Sequence, residues 1–187
     1  MIKNEEKWYA SWFDTPFYHI LYKDRNDTEA QNFMDALTEY LNLPEQGTVL
    51  DLACGKGRHA RYLNQIGYQV TGVDLSENSI AFAKQFENDT LQFDVHDMCL
   101  PHTRKFDAVF NLFTSFGYFE EDAEDLRILK NIKNGLKQNG VFVFDFLNVI
   151  HVKNTIIKEE VKEIEGIEFH IQREIKEGFI LKKISFK

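Results

Sequence analysis

Cysteine and proline are scarce in this chain, with two of the first and three of the second among 187 residues. Cys54 and Cys99 stand at neither metal nor redox spacing. That argues against a disulfide-stapled scaffold and a thiolate zinc site, and fits reduced thiols in a cytoplasmic protein. Long apolar runs are missing too: none approaches the ~18 residues of a membrane span. Met1 to Lys7 mixes lysine with glutamate and no apolar stretch follows, so no signal peptide is read. Positive charge is in deficit, the formal net charge being −8. A nucleic-acid binder neutralises phosphates with a basic patch. Here the C-terminal lysines are interleaved with nearly as many glutamates, which disfavours such a partner. No repeat or low-complexity segment occurs. One globular domain of ordinary size is the expectation.

What is present is organised around Asp51-Leu52-Ala53-Cys54-Gly55, with Gly57 close behind. Thr48-Val49-Leu50 before it reads as a buried strand, and Arg58 to Ile66 after it has helical spacing and stops at Gly67. A strand, a glycine turn and a helix form the first half of a βαβ unit. The glycines admit close approach of a ligand, and the helix start turns unpaired N–H groups toward it.

Upstream, Lys7 to Tyr22 is crowded with aromatics and interrupted by Pro16, predicting two short helices. The plain reading is a hydrophobic staple; the alternative is a lid whose rings shape a pocket. Asp27 or Thr28 is expected to cap the next helix, with Phe33, Leu37 and Leu41 on its inner face. Downstream, Gln69 to Val73 is a second strand closed by Asp74, Ser76 caps a helix to about Phe86, and Leu91 to Val95 is a third strand. Phe106 to Leu112 is a fourth. Asp122 to Lys137 is an amphipathic helix through Leu126, Leu129, Ile132 and Leu136, ended by Asn139-Gly140, and Val141 to Phe146 is a fifth strand. The alternation predicts an α/β, doubly wound Rossmann-like fold with a mostly parallel sheet. From Glu159 the period changes to two, in three runs broken at Glu165-Gly166 and Glu177-Gly178, predicting an antiparallel β-meander. The expected divisions are a helical aromatic cap over 1–46, an α/β core over 47–150 and a meander extension over 151–187.

Three carboxylates fall where parallel strands are expected to end: Asp51, Asp74 and Asp97. In an open α/β sheet the ligand crevice lies there. One acid at a strand end is an ordinary cap; three in consecutive units beside a Gly-x-Gly turn ask for a ligand. A carboxylate after the second strand can accept both hydroxyls of a ribose, and one after the third can accept from the amine of adenine. A ribose, an adenine and a cationic amino-acid arm describe S-adenosylmethionine.

Val49-Leu50-Asp51-Leu52-Ala53-Cys54-Gly55-Lys56-Gly57 resembles motif I of the class I S-adenosylmethionine-dependent methyltransferases. Gly72-Val73-Asp74-Leu75-Ser76 resembles their second motif, His96-Asp97-Met98 their adenine loop, and Phe106-Asp107-Ala108-Val109 their fourth-strand motif. The resemblance spans about Gly47 to Phe146. It implies that Gly55 and Gly57 pass beneath the methionyl part, with Asp51 facing its amino group directly or through water. It places Asp74 at the ribose, Asp97 at the adenine amine, and Asn111 and Leu112 beside the methionyl end, with Ala53, Leu75 and Met98 as further cofactor contacts. Members of the family usually continue after the fifth strand to a helix and two more strands. Only the meander follows here, and Ile180 to Lys187 stops in what reads as mid-strand, so a truncated chain is expected.

Gly55-Lys56-Gly57-Arg58-His59-Ala60 also fits the dinucleotide pattern, with Asp74 seventeen residues after Gly57, so an NAD-dependent oxidoreductase is the rival reading. Asp51 in the turn region, the place of Asp97 and the lack of a hydride-transfer set count against it. A nucleoside-binding domain without catalysis is the third reading. No residue is singled out as catalytic, because an activated methyl group needs only a nucleophile held in line. Asn111-Leu112-Phe113-Thr114 lacks the Pro-Pro-aromatic of amide and base methyltransferases, and with the acidic charge this favours a small-molecule acceptor and no membrane partner. Its candidate walls are Trp12, Tyr18 and Tyr22 upstream and Phe113, Ser115, Phe116 and Tyr118 after the fourth strand, with Asn148 and His151 beyond the fifth. Tyr22 and Arg25 are further candidates for the methionyl carboxylate. His59 reads as a packing residue, and His96 and His102 as structural, so no metal is expected.

Overall fold

A computed structural model describes residues 8–23, 27–119 and 121–187, with only the backbone described at Trp8 and Ala10. Helices α1 (Trp8–Phe13), α2 (Pro16–Leu21) and α3 (Asp27–Leu41) precede the sheet. Then come β1 (Thr48–Leu52), α4 (Arg58–Gln65), β2 (Gln69–Asp74), α5 (Glu77–Ala83), β3 (Leu91–Val95), β4 (Phe106–Asn111), α6 (Asp122–Gly135) and β5 (Leu136–Phe144). The five strands are parallel in the order β3-β2-β1-β4-β5. Helix α7 (Val149–Thr155) leads to the antiparallel β6 (Glu159–Ile164), β7 (Ile167–Lys176) and β8 (Phe179–Phe186). Thus the α/β core and the meander expected from the sequence are both present.

The chain divides into two compact units. The first holds α1 with Asp14 and the chain from α3 through Phe146; the second joins Thr15–Lys23 to Leu147–Lys187. These boundaries differ from the three-part division read from the sequence, since the aromatic segment is split at Asp14. The reason is side-chain pairing within the second unit. Phe17 stacks on Phe186 at 3.9 Å, and the Lys182 ammonium lies 5.0 Å over the Tyr22 ring and donates to its hydroxyl. Both hairpins turn through two residues at positive φ, Glu165-Gly166 and Glu177-Gly178, the geometry that matches strand twist.

In the first unit the sheet is buried on both faces. Val49, Val70, Phe93 and Phe110 pack under Met34, Leu63 and Ile80 of α3–α5. On the opposite face Leu50, Leu52, Val73 and Val109 pack with Ile128 and Ile132 of α6. Each such side chain contributes about 1.5–3 kcal/mol relative to exposure. Alternation along β1 therefore sends Asp51, two residues from Val49, toward the α4 face.

Several expectations are corrected. Strand β1 runs two residues further than expected, so Asp51 lies within it rather than after it. Helix α3 starts at Asp27, so neither Asp27 nor Thr28 is the flanking cap, and the preceding residue lies outside the described ones. Its most buried residues are Ala30 and Met34, with Phe33 at the rim. Helix α6 ends at Gly135, and Leu136 already pairs with Phe106 before the register shifts to Val141 opposite Ala108. Asn139-Gly140 thus belongs to an irregular stretch of β5. The α6 face is Ile128 and Ile132, while Leu126 and Leu129 point outward. Helix α7, capped by Asn148 accepting from the His151 N–H at 3.0 Å, was not anticipated. No helix among the described residues is long and apolar enough to cross a membrane.

Candidate functional site

Three connections leave the carboxyl edge of the sheet side by side: those after β2, β1 and β4. The central one is the glycine turn. The Cys54 N–H donates to the Val73 carbonyl at 2.9 Å, and the Gly57 N–H closes the turn on the Cys54 carbonyl at 3.0 Å. Ala53, Gly55 and Gly57 have φ of 66, 56 and 76°, and the first is strained for a residue with a Cβ. The two glycines serve different ends. A Cβ at Gly57 would lie 2.6 Å from the Phe93 ring, so this glycine lets β3 pack beneath the turn. A Cβ at Gly55 would meet nothing within 4 Å, so the chain there faces open space.

Two carboxylates flank the turn. Asp51, 2% exposed, lies in register with Gly72 on one side and Phe110 on the other, and its Oδ2 has no hydrogen-bond partner. Burial, and then the charge of Asp74, push its pKa up to about 7, against the smaller opposing pull of the Ala60 N–H and Arg58. Asp74 accepts from the Gly55 N–H at 2.7 Å on Oδ2 and from the Ser76 N–H at 2.9 Å on Oδ1. Burial still raises its pKa, with those backbone donors pulling it down and Asp14 adding repulsion. Both oxygens of Asp74 thus have backbone donors, whereas Asp51 Oδ2 has none. Cys54 beside them is a buried thiol pushed further from ionisation by burial and by both carboxylates.

Asp97 accepts on Oδ1 from the Cys99 N–H at 2.8 Å and so shapes the turn after β3, with Met98 packed on the α6-side core. Leu75, at 39% exposure, is an apolar side chain left open next to Asp74. Asn111 is buried; its amide nitrogen donates to the Leu52 carbonyl at 2.9 Å and its Oδ1 has no partner. Leu112 is buried in the α4-side core.

After β4 the chain turns through Phe113 and Thr114, both at positive φ (59 and 58°). Asp145, just past β5, holds this turn: its Oδ2 accepts from the Phe113 N–H at 2.8 Å, and its carbonyl accepts from the Thr114 N–H at 3.2 Å. The four residues expected as one acceptor wall are spread over different surroundings. Phe113 is stacked on the His59 ring at 5.0 Å and lies 5.1 Å from the Arg58 guanidinium, which itself contacts His59 at 3.4 Å. The Ser115 hydroxyl donates back to the Leu112 carbonyl at 2.9 Å, and Phe116 packs edge-on against Phe144 at 5.2 Å. Tyr118 donates to the Thr114 carbonyl at 2.7 Å and meets Tyr9 and Phe13 of α1 at 6.3 and 5.5 Å. Trp12 lies on that same short helix. Tyr18 and Tyr22 pair at 5.0 Å within the second unit, as do Asn148 and His151 at α7, and Arg25 lies outside the described residues.

Sequence reasoning missed two residues. Asp145 left a signal: like Asp51 and Asp74 it is a lone acid in an apolar strand end, Phe144-Asp145-Phe146. Asp14 left none. Its carboxylate accepts from the Ser76 hydroxyl and, at 2.7 Å, from the Asn78 amide, partners more than sixty residues away.

A doubly wound parallel sheet with paired acids at a Gly-x-Gly turn defines the Rossmann-like methyltransferase class. Residues 50–144, just over half of the chain, match the family described as "Methyltransferase domain". The chain belongs to that family, within the class I S-adenosylmethionine-dependent methyltransferases. It is 35% identical over 109 residues to YqeM of Bacillus subtilis (strain 168), covering 56% of this chain and 44% of that protein. It is 31% identical over 133 residues to the dTDP-3-amino-3,4,6-trideoxy-alpha-D-glucopyranose N,N-dimethyltransferase of Streptomyces venezuelae, covering 68% and 54% respectively. In fold it is similar to an S-adenosylmethionine-dependent methyltransferase from Clostridium acetobutylicum ATCC 824, with a TM-score of 0.73 at 22% identity, over 95% of this chain and 72% of that one. The chain spans about half the length of the curated relatives it matches.

Proposed function

We propose that this chain binds S-adenosylmethionine at the glycine turn and serves methyl transfer to a small-molecule acceptor. One observation carries the reading: a buried carboxylate oxygen without a partner, on Asp51, beside a second carboxylate and an open glycine. An ammonium group is what such an oxygen lacks, since a buried charge is tolerated only when paired. A dinucleotide's pyrophosphate at the same turn would instead bring negative charge beside two carboxyl groups and leave Asp51 without a cation, and like-charge juxtaposition costs several kcal/mol at an interface. The residues present therefore fit the sulfonium cofactor better than NAD.

When bound, the cofactor supplies a methyl group already activated by its sulfonium. Asp51 takes the amino group, and Gly55 leaves room for the methionyl chain. Asp74 takes the ribose hydroxyls, because a carboxylate oxygen that already accepts one N–H keeps a further lone-pair site. Leu75 covers one face of the adenine, Asp97 accepts from its amine, and Met98 lies at its edge. Asn111, Leu112 and Ala53 line the methionyl end through backbone atoms. Trp12, Ser115 and Tyr118 border the acceptor. The amino-sugar acceptor in the Streptomyces venezuelae relative's name supports a small molecule.

Calorimetry with S-adenosylmethionine, S-adenosylhomocysteine and NAD tests the cofactor. Binding of NAD alone would overturn the assignment. Labelled methyl donor added with a metabolite extract tests the acceptor, and label found only in protein or nucleic acid rules out the small molecule. Asp97→Asn keeps an acceptor for the Cys99 N–H but can turn an N–H₂ toward the adenine amine. We expect about a tenfold loss of affinity and a smaller preference over the inosine analogue. An unchanged preference would leave Asp97 as a turn residue only.

A further inference from the structure

The short helix α1 ends in two consecutive side chains that reach opposite sides of the crevice. The Phe13 ring packs edge-on against Tyr118, in the connection after β4, at 5.5 Å. Asp14, the next residue, binds the Ser76 hydroxyl and the Asn78 amide at the start of α5, after β2. Strand β1 lies between β2 and β4, so the two anchors belong to the connections on either side of the one that leaves β1. What lies at the end of β1 is the Ala53–Gly57 turn. Tyr9, one helical turn before Phe13, reinforces the β4 side through Tyr118 and Phe119 at 6.3 and 5.7 Å.

From this bridging we propose that Phe13 and Asp14 form a clasp across the cofactor crevice, with Asp14 a positioning residue that must let go of Ser76 and Asn78 for the cofactor to enter or leave. The inference rests on the cofactor reading above. Asp14 reaches the cofactor through its neighbours. The Ser76 hydroxyl that it receives also accepts from the Ser79 N–H at 3.0 Å, and the Ser76 N–H is one of the backbone donors holding Asp74. The clasp therefore fixes the ribose carboxylate while it closes the mouth. Among the described residues the groups facing the Asp14 carboxylate are Ser76 and Asn78, both neutral, and Asp74, which repels it, so the latch seen there is held by hydrogen bonds.

The molecule carries its own reporter. Its two tryptophans, Trp8 and Trp12, both lie in α1, so all tryptophan fluorescence comes from the clasp helix. In the intact chain, S-adenosylhomocysteine is expected to reduce acrylamide quenching of that fluorescence. Stopped-flow displacement should show release about tenfold faster in Asp14→Ala, where a hydrogen-bonded carboxylate is lost. Phe13→Ala should give a similar acceleration, and the double variant little more than either, because one open end already frees the clasp. Asp14→Asn, which keeps an acceptor, should restore slow release in part. If calorimetry shows no binding by the unaltered chain, the cofactor reading fails. If binding is intact but quenching does not change and release in Asp14→Ala matches the original rate, the clasp is overturned. If release accelerates only in Asp14→Ala and the two substitutions add independently, Asp14 serves Asp74 alone and the clasp is likewise overturned.

Discussion

Asp51→Asn is expected to change the pH dependence of stability strongly between pH 4 and pH 8. The folded-state pKa of Asp51 stands at about 7, against 3.8 for the ordinary carboxyl. Between those values the folded state holds a proton that the unfolded state has released, so stability falls as pH rises through that window. A shift of this size corresponds to on the order of 4 kcal/mol. The asparagine cannot titrate, so the difference in unfolding free energy between the two proteins should change by a few kcal/mol from pH 4 to pH 8, in the variant's favour. Denaturant unfolding across that range measures it directly; parallel profiles would show that Asp51 is not held neutral. The same buried oxygen governs the ligand. A cationic arm favours the ionised carboxyl, so binding of S-adenosylhomocysteine below pH 7 should release a proton, giving a calorimetric enthalpy that depends on the buffer's ionisation heat. Asp51→Asn should abolish this proton release and lower affinity roughly ten- to a hundredfold.

Gly57→Ala is expected to damage the fold, whereas Gly55→Ala damages the site. The methyl at position 57 would stand 2.6 Å from two atoms of Phe93, a fully buried ring that also fills the space above Gly72. Overpacking costs about 1–3 kcal/mol, and the left-handed φ of 76° adds about 1–2 kcal/mol for a residue with a Cβ. For a chain of this size such a loss lowers Tm by roughly 5–15 °C. Gly55 has a left-handed φ as well, but its added methyl meets nothing, so only the smaller backbone penalty of about 1–2 kcal/mol applies. That methyl would instead occupy the space in front of the turn and weaken cofactor binding. Equal stability losses at the two positions, or unchanged affinity in Gly55→Ala, would contradict this division of labour.

The clasp and the Asp145 brace show why part of the site was hidden. Asp14 meets Ser76 and Asn78 across more than sixty residues, and Asp145 reaches Phe113 across more than thirty. Pairs like these are set by strand order, which places β1 between β2 and β4 and β5 beside β4. The inner faces of α3 and α6 were legible only in part. Leu37, Leu41 and Ile132 pack on the core as expected, but contact with the sheet, not the spacing alone, added Met34 and Ile128 and left Phe33, Leu126 and Leu129 at the surface.

The sequence by itself determined the elements whose signals are local. Strand and helix alternate with short connections, the Glu-Gly pairs turn the meander, and Asp51, Gly55, Gly57 and Asp74 fall at one junction. These follow from backbone conformational limits and from periods of two and 3.6 residues, which act over a few neighbours. Only the tertiary structure decided the rest: that Asp51 sits inside a buried strand and not at its end, that Gly57 answers to Phe93 while Gly55 faces open space, that Tyr18 and Tyr22 join the meander and not the first unit. Each of these depends on which distant surface a side chain meets. Burial and Coulomb interaction act through space, and no pattern along the chain records them.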